Sequence, residues 1–324
     1  MPISYSDLDS FNRVLSVWRP AGEKPIFILR WLVTEWCNYR CPYCPQSHGR
    51  FVFKDEYTAH AFDNHSLGKW VDAFSRHFNE RRLSLVITGG EPMLDRKNMV
   101  PFINELSSMS TVECIRIDTN ASWDPDPYGK VDPSKIILMC TYHPCQVSQR
   151  SFYSRVKQLL DYGFRIGMVN FVMSHGNFGI YRELRNEMAE LGIPLHPNPL
   201  WDLEGQYSGE DLRMLKEELP DADYHYRSKQ LSPYGKKCLF PALAYQMNQN
   251  GQISVGCHPQ VSGSFFNHSL VPTFDGPVPC SAKACVCLDM YSFLEDVNRN
   301  TDVNPLHIYS DILKRKRGIT SFFL

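Results

Sequence analysis

The chain has 324 residues, of which 43% are hydrophobic and 21% charged. That is enough for a sizeable core in one large α/β domain with an appendage, or in two domains. A formal net charge of −1 gives no electrostatic reason to expect nucleic acid or an anionic membrane as a partner, and no run approaches the ~18 uninterrupted apolar residues of a transmembrane helix. Eleven cysteines behind a first segment, MPISYSDLDS, that lacks a basic-then-apolar signal read as metal ligands in a reducing cytoplasm rather than as disulfides.

Taken in chain order, residues 1–25 form an N-terminal extension, and the mostly apolar run 26–36 predicts the first strand. Cys37, Cys41 and Cys44 follow it at once, spaced C-x3-C-x2-C. Thiolates this close on a loop can converge on one metal centre, and three of them leave open one iron of a [4Fe–4S] cube that takes four ligands. A zinc knuckle or buried thiols are the alternatives on spacing alone. A helical stripe of Leu67, Val71, Phe74 and Phe78 comes next, then strand 82–88, ending at Gly89-Gly90-Glu91-Pro92.

Strands 112–118, 135–141, 164–173 and 193–198 complete a set of six. Between them run helices with inward stripes, one of Phe152, Val156 and Leu159 stopped by Gly163, another of Ile180, Leu184, Met188 and Leu191 stopped by Gly192. Alternation of this kind predicts βαβ units and a parallel sheet. The fold class is therefore α/β, with six units over residues 26–220, fewer than the eight of a closed barrel. Both motifs follow strand ends, where parallel barrels keep their chemistry. A helix opened by Ser208 and Asp211, with Leu212, Leu215 and Leu219 inward and Pro220 at its end, closes this region.

Residues 221–236 read as a connector. From 237 to 324 a smaller Cys-rich domain is expected, carrying Cys238, Cys257, Cys280, Cys285 and Cys287 and a hairpin about Asn250-Gly251. Counting from that turn puts Cys257 opposite about Ala244, with Pro241 bending Cys238 back toward it. A four-thiolate structural zinc site is one reading of this set.

Cys37-x3-Cys41-x2-Cys44, with Tyr43 before the last cysteine, resembles the signature of the radical S-adenosylmethionine (radical SAM) enzymes, and Gly89-Gly90-Glu91-Pro92 is similar to that family's GGEP segment. The resemblance implies a six-stranded (β/α)6 partial TIM-like barrel open on one side. It also implies a [4Fe–4S] cluster that binds S-adenosyl-L-methionine, with Gly89, Gly90, Glu91 and Pro92 at the amino group and Tyr43 at the adenine. Asn120, Thr141, His143 and Asn170 would be further cofactor contacts at strand ends. The reaction implied is reductive cleavage to a 5′-deoxyadenosyl radical that takes a hydrogen atom from the substrate, with flavodoxin or ferredoxin as reductant.

The C-terminal cysteines resemble a SPASM/twitch extension, which implies one auxiliary [4Fe–4S] cluster on Cys238, Cys257, Cys285 and Cys287. Fewer cysteines are present than a full SPASM pattern with two auxiliary clusters requires, and Cys280 leaves one ligand assignment open. Cys145 and Cys280 are the candidate hydrogen donors for a redox-neutral outcome, while Cys114 and Cys140 read as buried inert thiols. About 25 residues before the first strand, too few for a leader-binding module, favour a hydroxylated small molecule (sugar, aminocyclitol or nucleoside) that is oxidised or epimerised in a biosynthetic pathway. Modification of a ribosomally made peptide is the alternative, and a non-catalytic zinc or electron-transfer protein the remoter one.

Overall fold

A computed structural model describes Gly22, Lys24 and residues 26–44, 60–129, 131–200, 207–219, 224–226, 229–255, 261–267, 276–285 and 293–296. Six parallel strands lie where the apolar runs place them: β1 Ile26–Thr34, β2 Arg82–Gly89, β3 Val112–Thr119, β4 Ile136–Tyr142, β5 Arg165–Met173 and β6 Leu195–Pro199. They are hydrogen-bonded in sequence order. β1 stops at Thr34 rather than at residue 36, because the Thr34 and Trp36 carbonyls turn to accept the Gly90 and Glu91 N–H groups. β6 carries Pro197 and Pro199, which lack N–H donors, so it suits a sheet edge and no described strand pairs beyond it.

Alternation along each strand sorts its side chains. Leu29, Trp31 and Val33, Leu85 and Ile87, Ile115 and Ile117, Leu138 and Cys140, and Val169 and Phe171 enter one buried core with the helices. Those helices are α1 Leu67–Phe78, α2 Arg96–Ser108, α3 Gln149–Asp161, α4 Phe178–Glu190 and α5 Gly209–Glu218. Their starts are capped by local chemistry: Ser66 accepts from the Lys69 N–H, Ser148 from the Ser151 N–H, and Ser208 forms a capping box with Asp211. Gly163 and Gly192 hold positive φ (84° and 68°) just past α3 and α4, as their helix-stop positions require.

The stripes need two corrections. Ile180 is 36% exposed while its neighbour Tyr181 is buried, since Phe178, Tyr181, Leu184 and Met188 make the inward face of α4. At the start of α5, Asp211 is buried and Leu212 half-buried, because the capping box turns the Asp211 carboxylate back onto Ser208. No helix among the described residues is long and apolar enough to cross a membrane.

The hairpin forms about Asn250-Gly251, from β8 Ala244–Met247 and β9 Gln252–Val255, with β7 Lys237–Cys238 and the one-turn helix α6 Phe240–Leu243 before it and β10 Val261–Ser264 and β11 Val278–Pro279 after it. β8 pairs in parallel with β1, Ile28 opposite Ala244 and Trp31 opposite Met247, so among the described residues the barrel sheet runs to nine strands, β10-β9-β8-β1-β2-β3-β4-β5-β6. Phe265 seals the junction. Its ring packs on Phe74 and His77, and the His77 Nε2–H donates to the Phe265 carbonyl at 2.6 Å.

A second core closes the interior at the N-terminal strand ends. Ile26, Ile28, Val86, Cys114 and Ile137 meet Tyr226, Leu239, Phe240, Leu243, Phe293 and Leu294 there.

Candidate active site at the C-terminal strand ends

The cysteine loop is clasped by the ends of three strands. Below it, the Gly90 N–H donates to the Thr34 carbonyl and the Glu91 N–H to the Trp36 carbonyl, both at 2.8 Å. A Cβ on Gly90 would stand 1.9 Å from the Trp36 oxygen, and one on Gly89, where φ is 140°, 2.1 Å from the Thr34 oxygen. Glycine is therefore required at both positions for the loop to lie on the end of β2. On one flank, Asn38 bonds Ser122 at 2.9 Å and Asn120 at 3.0 Å; on the other, the Arg40 N–H donates to Gln146 Oε1 at 3.2 Å.

Within the loop Cys41 is buried, and Cys37 and Cys44 are half-buried. Cys44 is the electrostatic neighbour of both other thiols, and burial raises the Cys37 and Cys41 pKa values, Cys41 to about 12 with Cys145 contributing. A metal would therefore have to displace these protons. The donor set is all sulfur. Among the described residues, no three His, Cys, Asp or Glu side chains stand close enough to hold one ion, whereas a tetrahedral zinc would bring its thiolates within roughly 4 Å of each other. An all-sulfur set of three donors on one loop fits an iron–sulfur cluster with one iron left without a protein ligand.

Glu91 is fully buried. Its Oε1 accepts from Thr119 Oγ1 (2.8 Å) and the Met93 N–H (3.2 Å), and its Oε2 from the Asn120 N–H (2.6 Å). Desolvation pushes its pKa up to about 7 against the pull of those donors. The carboxylate expected at the amino group of the cofactor thus spends two lone pairs joining the ends of β2 and β3 and a third on its own turn, and Pro92 is buried beside it. His143, at the end of β4, has its Nδ1 3.1 Å from Tyr43 Oη and 3.5 Å from Cys41 Sγ, its ring parallel to that of Tyr43. Burial lowers its pKa to about 4, so the imidazole is neutral near pH 7.

Cys145 is exposed at this mouth and its thiol donates to Tyr43 Oη at 3.3 Å. Cys280, the other candidate hydrogen donor, is elsewhere. With Cys285 it packs against the core at the N-terminal strand ends that contains Cys238, and β1 alone rises roughly 26 Å between the two ends. Cys280 sits with Cys238 and Cys285. β7 pairs with β11 there, Cys238 opposite Val278. The Cys280 N–H donates to the Lys236 carbonyl, and Tyr226 is the electrostatic neighbour of both Cys280 and Cys285. Cys257 and Cys287 lie outside the described residues.

Strand parity, opposite to that of the helix-facing set, turns Arg30, Thr88, Arg116, Asp118, Thr141, Asn170, His196 and Asn198 toward the interior. Thr141, Asn170 and His196 are in one register row across β4, β5 and β6. Arg116 Nε donates to Asp118 Oδ1 at 2.6 Å. Of these, Asp118, Thr141 and Asn170 are expected from the sequence, Asp118 as part of the polar strand-end segment Asp118-Thr119-Asn120. The period-two placement of Arg116 among apolar neighbours is a legible signal for that residue, while Asn38, Ser122 and Gln146 carry none.

An open parallel barrel with C-x3-C-x2-C after its first strand and GGEP after its second is the arrangement that the radical SAM resemblance implies. Comparison with known proteins agrees. No family model matches the chain. It is 35% identical over 98 residues (30% of the chain) to the GTP 3′,8-cyclase of Staphylococcus haemolyticus (strain JCSC1435), and 32% identical over 114 residues (35% of the chain) to that of Hydrogenovibrio crunogenus (strain DSM 25203 / XCL-2). These stretches cover 28% and 29% of those relatives, so the chain spans under a third of the length of the curated proteins it matches. The fold superposes on a histidine-tagged form of anSMEcpe with bound AdoMet at a TM-score of 0.51 and 13% identity, over 78% of this chain and 81% of that one. For native anSMEcpe with bound AdoMet the TM-score is 0.50 at 14% identity, over the same shares of the two chains. These solved structures share the fold of this chain, and its two motifs resemble those of the radical SAM enzymes.

Proposed function

We propose that this chain cleaves S-adenosylmethionine reductively and uses the product to take a hydrogen atom from a hydroxylated small molecule, which leaves oxidised or epimerised. The carrying observation is the three-thiol loop held down on Gly89 and Gly90 at the C-terminal rim of a barrel whose interior wall is polar. Bound there, a [4Fe–4S] cluster and S-adenosylmethionine supply one electron and a 5′-deoxyadenosyl radical. Cys37, Cys41 and Cys44 would hold the cluster. Glu91 keeps the ends of β2 and β3 in register beneath it, acting as a positioning residue. The hydrophobic plug at the N-terminal strand ends closes the interior to water from below, and the polar side chains of β3 to β6 orient hydroxyl groups.

An auxiliary cluster on Cys238, Cys257, Cys285 and Cys287, with Cys280 as a competing ligand, would provide an electron acceptor and so favours oxidation. Cys145, at the mouth, is the thiol placed to return a hydrogen atom in an epimerisation. A cytoplasmic setting with flavodoxin or ferredoxin as reductant completes the reading.

Anaerobic reconstitution followed by iron and sulfide analysis tests it: about eight irons per chain is expected for two cubes, with 5′-deoxyadenosine formed on adding reductant and S-adenosylmethionine. Zinc alone, or no 5′-deoxyadenosine from the iron-loaded protein, would sink it. Solvent deuterium in the product, lost in Cys145→Ala, would mark epimerisation.

A further inference from the structure

Hydrogen-bond donors reach two of the three loop sulfurs from other strands. Asn120 Nδ2 stands 3.6 Å from Cys37 Sγ, beside the Tyr39 N–H at 3.4 Å. The amide is held in that sense because Asn120 Oδ1 accepts from the Ser122 N–H at 2.9 Å, which leaves the nitrogen for the sulfur and for Asn38 Oδ1. The turn that presents it is strained. Ala121, buried and bearing a Cβ, sits at φ 58°, a conformation that costs about 1 kcal/mol or more and persists where the surroundings impose it.

His143 Nδ1 is 3.5 Å from Cys41 Sγ, and its ring is held between Tyr43, parallel at 6.0 Å, and Tyr39, edge-on at 5.8 Å. A metal-bound thiolate carries no proton and only accepts, so the tautomer that can bond it carries the proton on Nδ1, shared with Tyr43 Oη at 3.1 Å from the same nitrogen. Among the described residues, no side-chain donor reaches Cys44 Sγ.

We propose that Asn120 and His143 are positioning residues that donate N–H···S hydrogen bonds to Cys37 and Cys41, and through those thiolates raise the reduction potential of the cluster. The proposal rests on the three cysteines holding that cluster. Reduction adds negative charge that the sulfurs share, and a donor at a sulfur stabilises the reduced form more than the oxidised one. Asn120 and His143 are thereby assigned to the sulfurs, apart from any contact with the cofactor itself.

The test uses the full chain, reconstituted anaerobically, as wild type and as Asn120→Ala, His143→Phe and His143→Asn. Midpoint potentials are read by EPR-monitored titration of the signal that changes shape on adding S-adenosylmethionine, with iron counted in each sample. The expected result is wild-type iron content with a lower midpoint in Asn120→Ala and His143→Phe, and recovery toward wild type in His143→Asn, whose amide N–H takes the place of Nδ1–H. Unchanged midpoints in loaded variants overturn the proposal. So does loss of iron from both Asn120→Ala and His143→Phe while the wild type loads, because a tuning bond is not needed to hold a cluster. A wild type that loads no such cluster instead removes the functional reading beneath it.

Discussion

The Asn120 backbone N–H donates to the Glu91 carboxylate at 2.6 Å, and the two residues close the ends of β2 and β3 against each other. The same Asn120 directs its side chain at Cys37. One residue therefore couples the GGEP turn to the cysteine loop, with its main chain on one and its amide on the other.

Glu91→Gln keeps the shape but gives one corner of that carboxylate an NH2 group. With all three protein contacts being donors, one N–H then faces another. A loss of about 1–3 kcal/mol is expected from urea unfolding of the metal-free chain. Unchanged stability would mean that the clasp contributes nothing.

Glu91 also makes stability depend on pH. Its folded pKa of about 7 lies above the ordinary 4.5, so between those values the folded chain holds a proton that the unfolded chain has released. This contribution is complete below about pH 4.5 and is lost as pH rises through about 7, amounting to roughly 3 kcal/mol in all. Unfolding midpoints between pH 5 and 8 should fall more for wild type than for Glu91→Gln. Parallel curves would refute the assignment.

At Gly90, alanine has no room. Its methyl carbon would meet the Trp36 oxygen at 1.9 Å, a backbone atom that moves only if the cysteine loop lifts. Gly90→Ala should cost about 3 kcal/mol or more and reduce iron uptake at the loop. Full iron loading with an unshifted melting temperature would show that the close approach is dispensable.

Phe265 fastens the hairpin extension to α1, fully buried with its ring 4.8 Å from Phe74 and 4.6 Å from His77. Phe265→Ala is expected to cost about 3–5 kcal/mol in denaturant unfolding. A loss below about 1 kcal/mol would mean that the extension does not depend on this anchor.

For the two thiol groups, Cys238→Ser should lower iron from about eight to about four per chain and leave the loop cluster in place, whereas Cys145→Ser should leave iron at about eight. Iron analysis with visible and EPR spectra decides between them. Equal losses in both variants would contradict the separation of the groups at opposite ends of the barrel.

Strand and helix positions, the stop at Gly163 and Gly192, the three-thiol loop and the two glycines beneath it were legible in the sequence because each depends on neighbours a few residues away: apolar period, capping chemistry, positive φ. Spacing alone showed that Cys37, Cys41 and Cys44 share one loop. It did not show that Glu91 turns inward, that Cys280 lies far from the mouth, or that β8 joins the barrel sheet at β1. Those depend on partners distant in sequence, 29 positions for Glu91 to Asn120, 83 for Cys37 to Asn120 and 102 for Cys41 to His143. A strand's pattern states which side chains share a face, but the register between strands decides what they face. Only the folded sheet, by bringing the ends of β2, β3 and β4 around one loop, determined which donors stand at which sulfur.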